Sequence, residues 1–263
     1  MLRGNLAAQV KSLYDEGDRR SADAFQLYYV SINIGAFIAP IITGALAATY
    51  GWHTGFAFAA VGMMIGLAVY IAGQGLLPAE SGRVPREARA PLGGRDRRRL
   101  AGFAIVWPIQ ITFWIAQSQV WNVYNLWVRD HVSLGLGSFQ VPVPWLQALD
   151  GLSPVIVMPF FLALWQRQAA TGREPDDVGK MAIGCLIFAG ATAWLALAPI
   201  AAGSDGRAPI LWAVAFHLLS NIGWLYFTPV ALALYATRSP AGLRGTLLGV
   251  NYLATFFAST ISG

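Results

Sequence analysis

Two apolar runs, Ala24–Tyr50 and Thr54–Leu77, contain no Asp, Glu, Lys or Arg. A helix needs ~20 residues to cross a hydrocarbon core of ~30 Å, and each run exceeds that length. Only Gly51, Trp52 and His53 separate them, so they are expected to form a tight antiparallel pair. Within the first run Gln26, Tyr29, Asn33, Pro40 and Thr43 fall on one stripe at about 100° per residue. A single polar stripe on a spanning helix points to a wet cavity on that side.

The rest of the chain repeats the pattern. Complete runs are read at Leu100–Val128, Val141–Trp165, Lys180–Ala202 and Ile210–Thr237, with partial runs at Met1–Tyr14 and Gly245–Gly263. Charged residues make up 12% and hydrophobic residues 56%, against about 25% charged in soluble domains. The fold class is therefore all-α, a polytopic membrane helical bundle. The net charge of +5 is no nucleic-acid signal, because the basic residues sit in loops, where they set orientation. Lys11, Arg19, Arg20, the seven arginines from Arg83 to Arg99, then Arg167, Arg173, Lys180, Arg238 and Arg244 fall on one side. Only Arg129 and Arg207 fall on the other. This asymmetry puts the Pro78–Arg99 connection, rich in Pro, Gly and Arg, in the cytoplasm. The single cysteine, Cys185, lies in an apolar run and reads as a small packed residue.

Polar residues inside the later runs also line up. Gln110, Trp114, Gln117, Trp121 and Asn125 share a face, with Ser118 at its edge. His217, Asn221, Trp224, Thr228 and Tyr235 share another. Unpaired polar groups in hydrocarbon cost several kcal/mol, so each group either bonds to another helix or faces solvent. Three such stripes together favour convergence on one solvated cavity. The second run has a different stripe, Gly55, Ala59, Gly62, Gly66 and Gly73, which is expected to let backbones approach closely. Asn33 offers both donor and acceptor and suits a zwitterionic ligand, and Tyr29 lies one turn before it. Asp150 stands alone as a carboxylate inside a complete run, and His217 is a histidine, the residue type whose ordinary range is near neutral pH, inside another; these two are the candidates for proton coupling. There is no paired-carboxylate, G-x-S-x-G or clustered histidine constellation. The chain is expected not to be an enzyme, and to hold neither cofactor nor metal.

FQLYYVSINIGAF, preceded by DRR and followed by YGWHTGF and GMMIGLAVYIAG, resembles the proton-dependent oligopeptide transporter family, a branch of the major facilitator superfamily. TFWIAQSQ, VPWLQALD, GWLYFTPVALA and LRGTLLGVNYL carry the resemblance along nearly the whole chain. It implies a major-facilitator-type bundle, truncated to about helices four to eleven of a twelve-helix core. The expected domains are 1–77, the end of the amino-terminal bundle; 78–100, a cytoplasmic linker; and 101–263, an incomplete carboxy-terminal bundle. Met1–Tyr14 would be the end of the fourth helix. The implied function is secondary active, proton-coupled uptake of di- and tripeptides or peptide-like solutes through the plasma membrane. The implied partners are the peptide, protons and the lipid bilayer. The asparagine matching Asn33 contacts bound peptide in that family. Arg3, in Arg3-Gly4-Asn5, aligns with a fourth-helix lysine.

The departures fall at functional positions. Ser118, beside Gln119, stands where the family has a seventh-helix glutamate. Trp224 replaces the tenth-helix glutamate that pairs with the peptide amino terminus, in a segment that also carries Thr228. Asn251 replaces an eleventh-helix tryptophan, and Asp150 stands where asparagine is usual. The substrate-binding set expected from stripe and resemblance is thus Asn33, Tyr29, Arg3, Gln119, Ser118, Trp224, Thr228 and Asn251. Because the glutamates are lost, a rival reading is a non-transporting membrane scaffold or sensor built on the same fold.

Overall fold

The computed structural model describes Leu13 and residues 20–76, 93–240 and 243–263. Two compact units emerge: Met1–Pro85 with Gln147–Val155, and Arg86–Leu146 with Ile156–Gly263. Among the described residues, six segments are long and apolar enough to cross a membrane. They coincide with the six complete runs read from the sequence. The chain is an integral, multi-pass membrane protein.

In the first unit, α1 (Arg20–Tyr50) and α2 (Trp52–Gly73) form a helical hairpin, and α2 ends in a 3-10 turn at Gln74–Leu76. Gly51 makes the reversal at φ 91, a region that costs a side chain dearly. Its N–H donates to the Ala47 carbonyl at 3.0 Å, and its own carbonyl accepts from Thr54 at 3.1 Å. A Cβ at Gly55 would lie 3.0 Å from the Thr43 carbonyl, so the two helices touch closely there. Gly62, Gly66 and Gly73 have nothing within 4 Å of that position. Among the described residues, the small-residue stripe of α2 therefore brings backbones close at Gly55 but not at Gly62, Gly66 or Gly73. Phe56, Met63, Leu67 and Val69 point outward, as lipid-facing side chains do.

The second unit starts with α3 (Gly94–Ser118), whose first turn is fixed by Asp96 accepting from the Gly93 N–H at 3.1 Å. The run read from Leu100 to Val128 is one candidate span, Gly94–His131, but the helix within it is interrupted. Val120 and Trp121 bond to the carbonyls of Gln117 and Ser118, each at 3.1 Å, three residues back instead of four. Asn122 then leaves helical geometry (φ -107, ψ -96) before α4 (Val123–His131) resumes. Two small pairings follow: β1 (Val132–Ser133) runs parallel to β4 (Ala208–Pro209), and β2 (Gly135–Leu136) pairs antiparallel with β3 (Phe139–Gln140). Helix α5 (Pro144–Ala170) opens on a proline, which suits a first turn whose N–H has no partner anyway.

The tightest packing joins α6 (Asp177–Ala196), α7 (Ile210–Arg238) and α8 (Arg244–Ile261) to α3. Helices α6 and α7 run antiparallel and cross backbone to backbone at two glycines. A Cβ on Gly184 would lie 2.8 Å from the Gly223 carbonyl, and one on Gly223 would lie 2.8 Å from the Gly184 carbonyl. At the far end Trp194 and Trp212 stack at 3.9 Å, and each indole N–H donates to the other's carbonyl, at 3.0 and 2.9 Å. Helices α3 and α8 run parallel: Trp107 donates to the Val250 carbonyl at 2.9 Å, and Ser118 donates to the Ser262 hydroxyl at 2.8 Å. Lys180, counted with the loop charges above, is nearly buried. It pairs with Glu174, and its ammonium lies 4.5 Å from the centre of the Trp165 ring.

The glycine crossing yields a prediction. Gly184→Ala forces a methyl group into backbone atoms and should cost about 1–3 kcal/mol. Gly190→Ala, on the same helix but with nothing within 4 Å, should be neutral or gain from helix propensity. Thermal melting of the two variants in detergent checks this; equal melting temperatures would remove the crossing from its proposed role in stability.

Candidate functional site

Polar side chains inside the second unit sort into two groups by their hydrogen bonds. The first group is closed on itself. Gln110 is 1% exposed; its amide donates to the Asn251 side-chain oxygen at 2.7 Å and its carbonyl oxygen accepts from the Tyr235 hydroxyl at 2.9 Å. Three helices, α3, α7 and α8, are thereby tied at one point. Tyr235 also stacks on Phe103, with ring centres 4.4 Å apart. Asn251, expected from the alignment to face substrate, is here half of an interhelical bond.

His217 is fully buried on α7, edge-on to Tyr124 at 5.1 Å. Its backbone carbonyl accepts from the Asn221 amide at 2.7 Å and from the Ser220 hydroxyl at 3.1 Å. Ser118 donates to the Ile115 carbonyl at 2.7 Å as well as to Ser262. Gln119 is half-buried, and its backbone carbonyl accepts from Tyr124 at 3.0 Å, which closes the break between α3 and α4. Its structural contribution is made by the backbone, which residue type alone does not reveal.

The second group is open. The Oε1 of Gln117 and the Oγ1 of Thr228 are buried and bond to nothing among the described residues. Buried acceptors and hydroxyls are nearly always satisfied, so such atoms mark where water or a solute belongs. Both flank one aromatic stack. Phe113 and Phe227 lie face to face at 3.9 Å and 11°, with Phe188 against Phe113 at 5.3 Å. Gln117 is one turn beyond Phe113 on α3 and Thr228 follows Phe227 on α7, so the two lie on either side of the stack along the antiparallel α3–α7 contact. Trp224, half-buried one turn before Thr228, has no hydrogen bond among the described residues. Pro229 adds to the polarity, because it has no N–H and leaves the Leu225 carbonyl without its helical donor. Gln117 was legible as part of a stripe but does not align with a family functional position, which is why it was missed.

The first unit holds the other predicted residues. A Cβ on Gly151 would lie 2.6 Å from the Phe37 nitrogen and 2.9 Å from the Asn33 carbonyl. The start of α5 therefore crosses α1 backbone to backbone, and only glycine fits. This crossing brings Asp150 next to the Asn33 turn, with both side chains half-buried. Tyr29 belongs to α1, but its side chain lies outside the described residues, as does all of Arg3. A cavity of about 360 Å³ in the second unit is lined by none of these residues; it opens among helix ends at Arg99 and Arg238. Among the described residues no group of His, Cys, Asp and Glu is placed to hold a metal ion.

The closed network makes a separable prediction. Asn251→Ala leaves the Gln110 amide buried without an acceptor and should cost about 1–3 kcal/mol. The triple change Gln110→Leu, Asn251→Leu and Tyr235→Phe removes every donor and acceptor of the network together and should recover most of that loss. Denaturant titration of Asn251→Leu, Gln110→Leu, Tyr235→Phe and their combination would contradict the network if the single losses simply add.

A family model described as the POT family matches residues 1–83 and 90–263. Peptide transporter YePEPT of Yersinia enterocolitica is 25% identical over 98% of this chain and 63% of its own length. Dipeptide and tripeptide permease A of Escherichia coli is 27% identical over the whole of this chain and 62% of its own length. A crystal structure of a mutant peptide transporter POT in complex with alafosfalin superposes with a TM-score of 0.86 at 23% identity, covering 99% of this chain and 64% of that one. A POT family transporter in complex with 5-aminolevulinic acid superposes with a TM-score of 0.79 at 19% identity. The chain spans less than two thirds of the length of these relatives.

Proposed function

We propose that this chain, which belongs to the POT family, is part of a secondary transporter that carries small peptides or peptide-like solutes across the plasma membrane. The single observation that carries the reading is that Gln117 Oε1 and Thr228 Oγ1, on the facing helices α3 and α7, are buried and bond to nothing among the described residues; Trp165 Nε1 and Gln168 Oε1, towards the end of α5, are unsatisfied as well. Relatives described as di- and tripeptide permeases support the substrate class. In this reading 1–77 and 101–263 are portions of two bundles joined by a cytoplasmic linker, 78–100. Gln117, Trp224 and Thr228 face the solute in the second bundle; Asn33 and Tyr29 do so in the first, and Arg3 adds a carboxylate clamp. Asp150 is the group on which proton coupling rests.

Trp224 narrows the substrate. An indole cannot neutralise an ammonium, although its ring face can attract one by roughly 0.5–2 kcal/mol. A buried ammonium deprived of its anion typically loses about 3–5 kcal/mol. Free-amine peptides are therefore expected to bind weakly, and blocked or less basic solutes to be tolerated. The measurement is uptake by the intact protein in proteoliposomes, comparing dialanine with N-acetyl-dialanine, with and without a pH gradient. The expected result is comparable uptake of both with shallow gradient dependence. Strong gradient-driven uptake confined to dialanine would show this account of Trp224 and Ser118 to be wrong. Orientation is checked separately: on a Cys185→Ser background, single cysteines at Gly94 and Ser138 should label from opposite sides, with Ser138 the one reached by an impermeant reagent from outside intact cells.

A further inference from the structure

The cavity at the helix ends of the second unit serves none of the steps above. Its bed is apolar: Phe103 and Val106 of α3 and Leu234 of α7 form it, and Phe103 is held rigid by its stack on Tyr235. Its mouth is charged with both signs. Arg99 and Arg238 lie on one pair of helices, and Asp176 and Asp177 begin α6. These four groups line one cavity, yet no ion pair forms among them, and neither guanidinium has a hydrogen bond among the described residues. Asp176 has one local duty, accepting from the Gly179 N–H at 2.7 Å. Arg99 is in the second turn of α3, Asp177 is the first residue of α6 and Arg238 is the last of α7. The cavity mouth is therefore level with the ends of the spanning helices, where lipid headgroups lie. At about 360 Å³ the cavity is within the ~300–1,000 Å³ of ordinary ligand sites.

We propose that this cavity is a phospholipid site selective for a headgroup that combines a phosphate with a primary ammonium, as in phosphatidylethanolamine. The two guanidinium groups take the phosphate, for which their fork geometry is suited. The Asp177 carboxylate takes the ammonium, and an acyl chain lies along Phe103, Val106 and Leu234. A purely anionic headgroup would leave Asp177 facing like charge, and a quaternary ammonium would offer it no N–H donor. The apolar bed argues against a free soluble zwitterion.

The test uses the purified full chain, stripped of lipid in detergent and mixed with equimolar dioleoyl-phosphatidylethanolamine, -phosphatidylglycerol and -phosphatidylcholine. Retained lipid is read by native mass spectrometry and by the lipid-dependent rise in melting temperature. The ethanolamine lipid should be retained about tenfold over either competitor. Arg99→Gln with Arg238→Gln should lower the retention of all three lipids, because each carries the phosphate, while Arg95→Gln, exposed and off the cavity, should not. Asp177→Asn should abolish the preference over phosphatidylglycerol while leaving phosphate binding in place. Glycerophosphoethanolamine, the headgroup without acyl chains, should fail to compete. All four substitutions are on solvent-accessible side chains, and the unliganded melting temperature confirms that each variant is folded. Equal retention of the three lipids, retention unaffected by loss of both arginines, or efficient competition by the soluble headgroup would each overturn the proposal.

Discussion

In hydrocarbon no water is at hand to satisfy a polar atom, so each one in a spanning helix must find a partner in the protein or open onto a wet space. The second unit shows both solutions side by side. Gln110, Tyr235 and Asn251 close a three-helix bond, and Trp194 and Trp212 exchange indole bonds with each other's backbone. One turn or two away, Gln117 and Thr228 keep atoms that nothing described satisfies. The contrast separates polar residues that hold the bundle together from those that the proposed function leaves to a solute. It does so without appeal to residue type, since a glutamine falls in each class.

Backbone contact at glycine is the second determinant. Without a hydrophobic force between helices in lipid, association depends on close packing and interhelical bonds. Gly184 with Gly223, Gly55 with Thr43, and Gly151 with Asn33 and Phe37 each bring two backbones to a distance that a methyl group would disrupt. The Gly151 crossing also has a positional consequence. It fixes where Asp150 stands relative to Asn33, the two residues of the first unit with most reason to be functional. Gly62 and Gly66, equally small and regularly spaced, meet nothing within 4 Å among the described residues.

The spans were legible in the sequence because length and the absence of charge decide them, and residues such as Ala24–Tyr50 admit no soluble reading. The break at Gln119–Asn122 was not legible. It contains neither proline nor glycine, and it arises from a tightening of hydrogen bonds that periodicity cannot reveal. Its effect was to misplace Trp121, which is half exposed, and Asn125, which bonds to the Trp121 carbonyl, on a face shared with Gln110. Lys180 and Arg99 looked alike as loop cations; one is buried against Trp165 and the other lines a cavity. The alignment pointed to Asn251 and Ser118, whereas the unsatisfied atom on α3 belongs to Gln117, one residue from an aligned position.

The central claim is that the unsatisfied pair, and not the closed network, faces the solute path. Single cysteines at Gln117, Thr228 and Asn251 in the intact protein, on a Cys185→Ser background, test it with a small water-soluble thiol reagent. The account predicts that the cysteines at 117 and 228 react, that a bound blocked dipeptide slows both, and that the one at 251 stays unreactive. Reaction at 251 with none at 117 and 228 would contradict it.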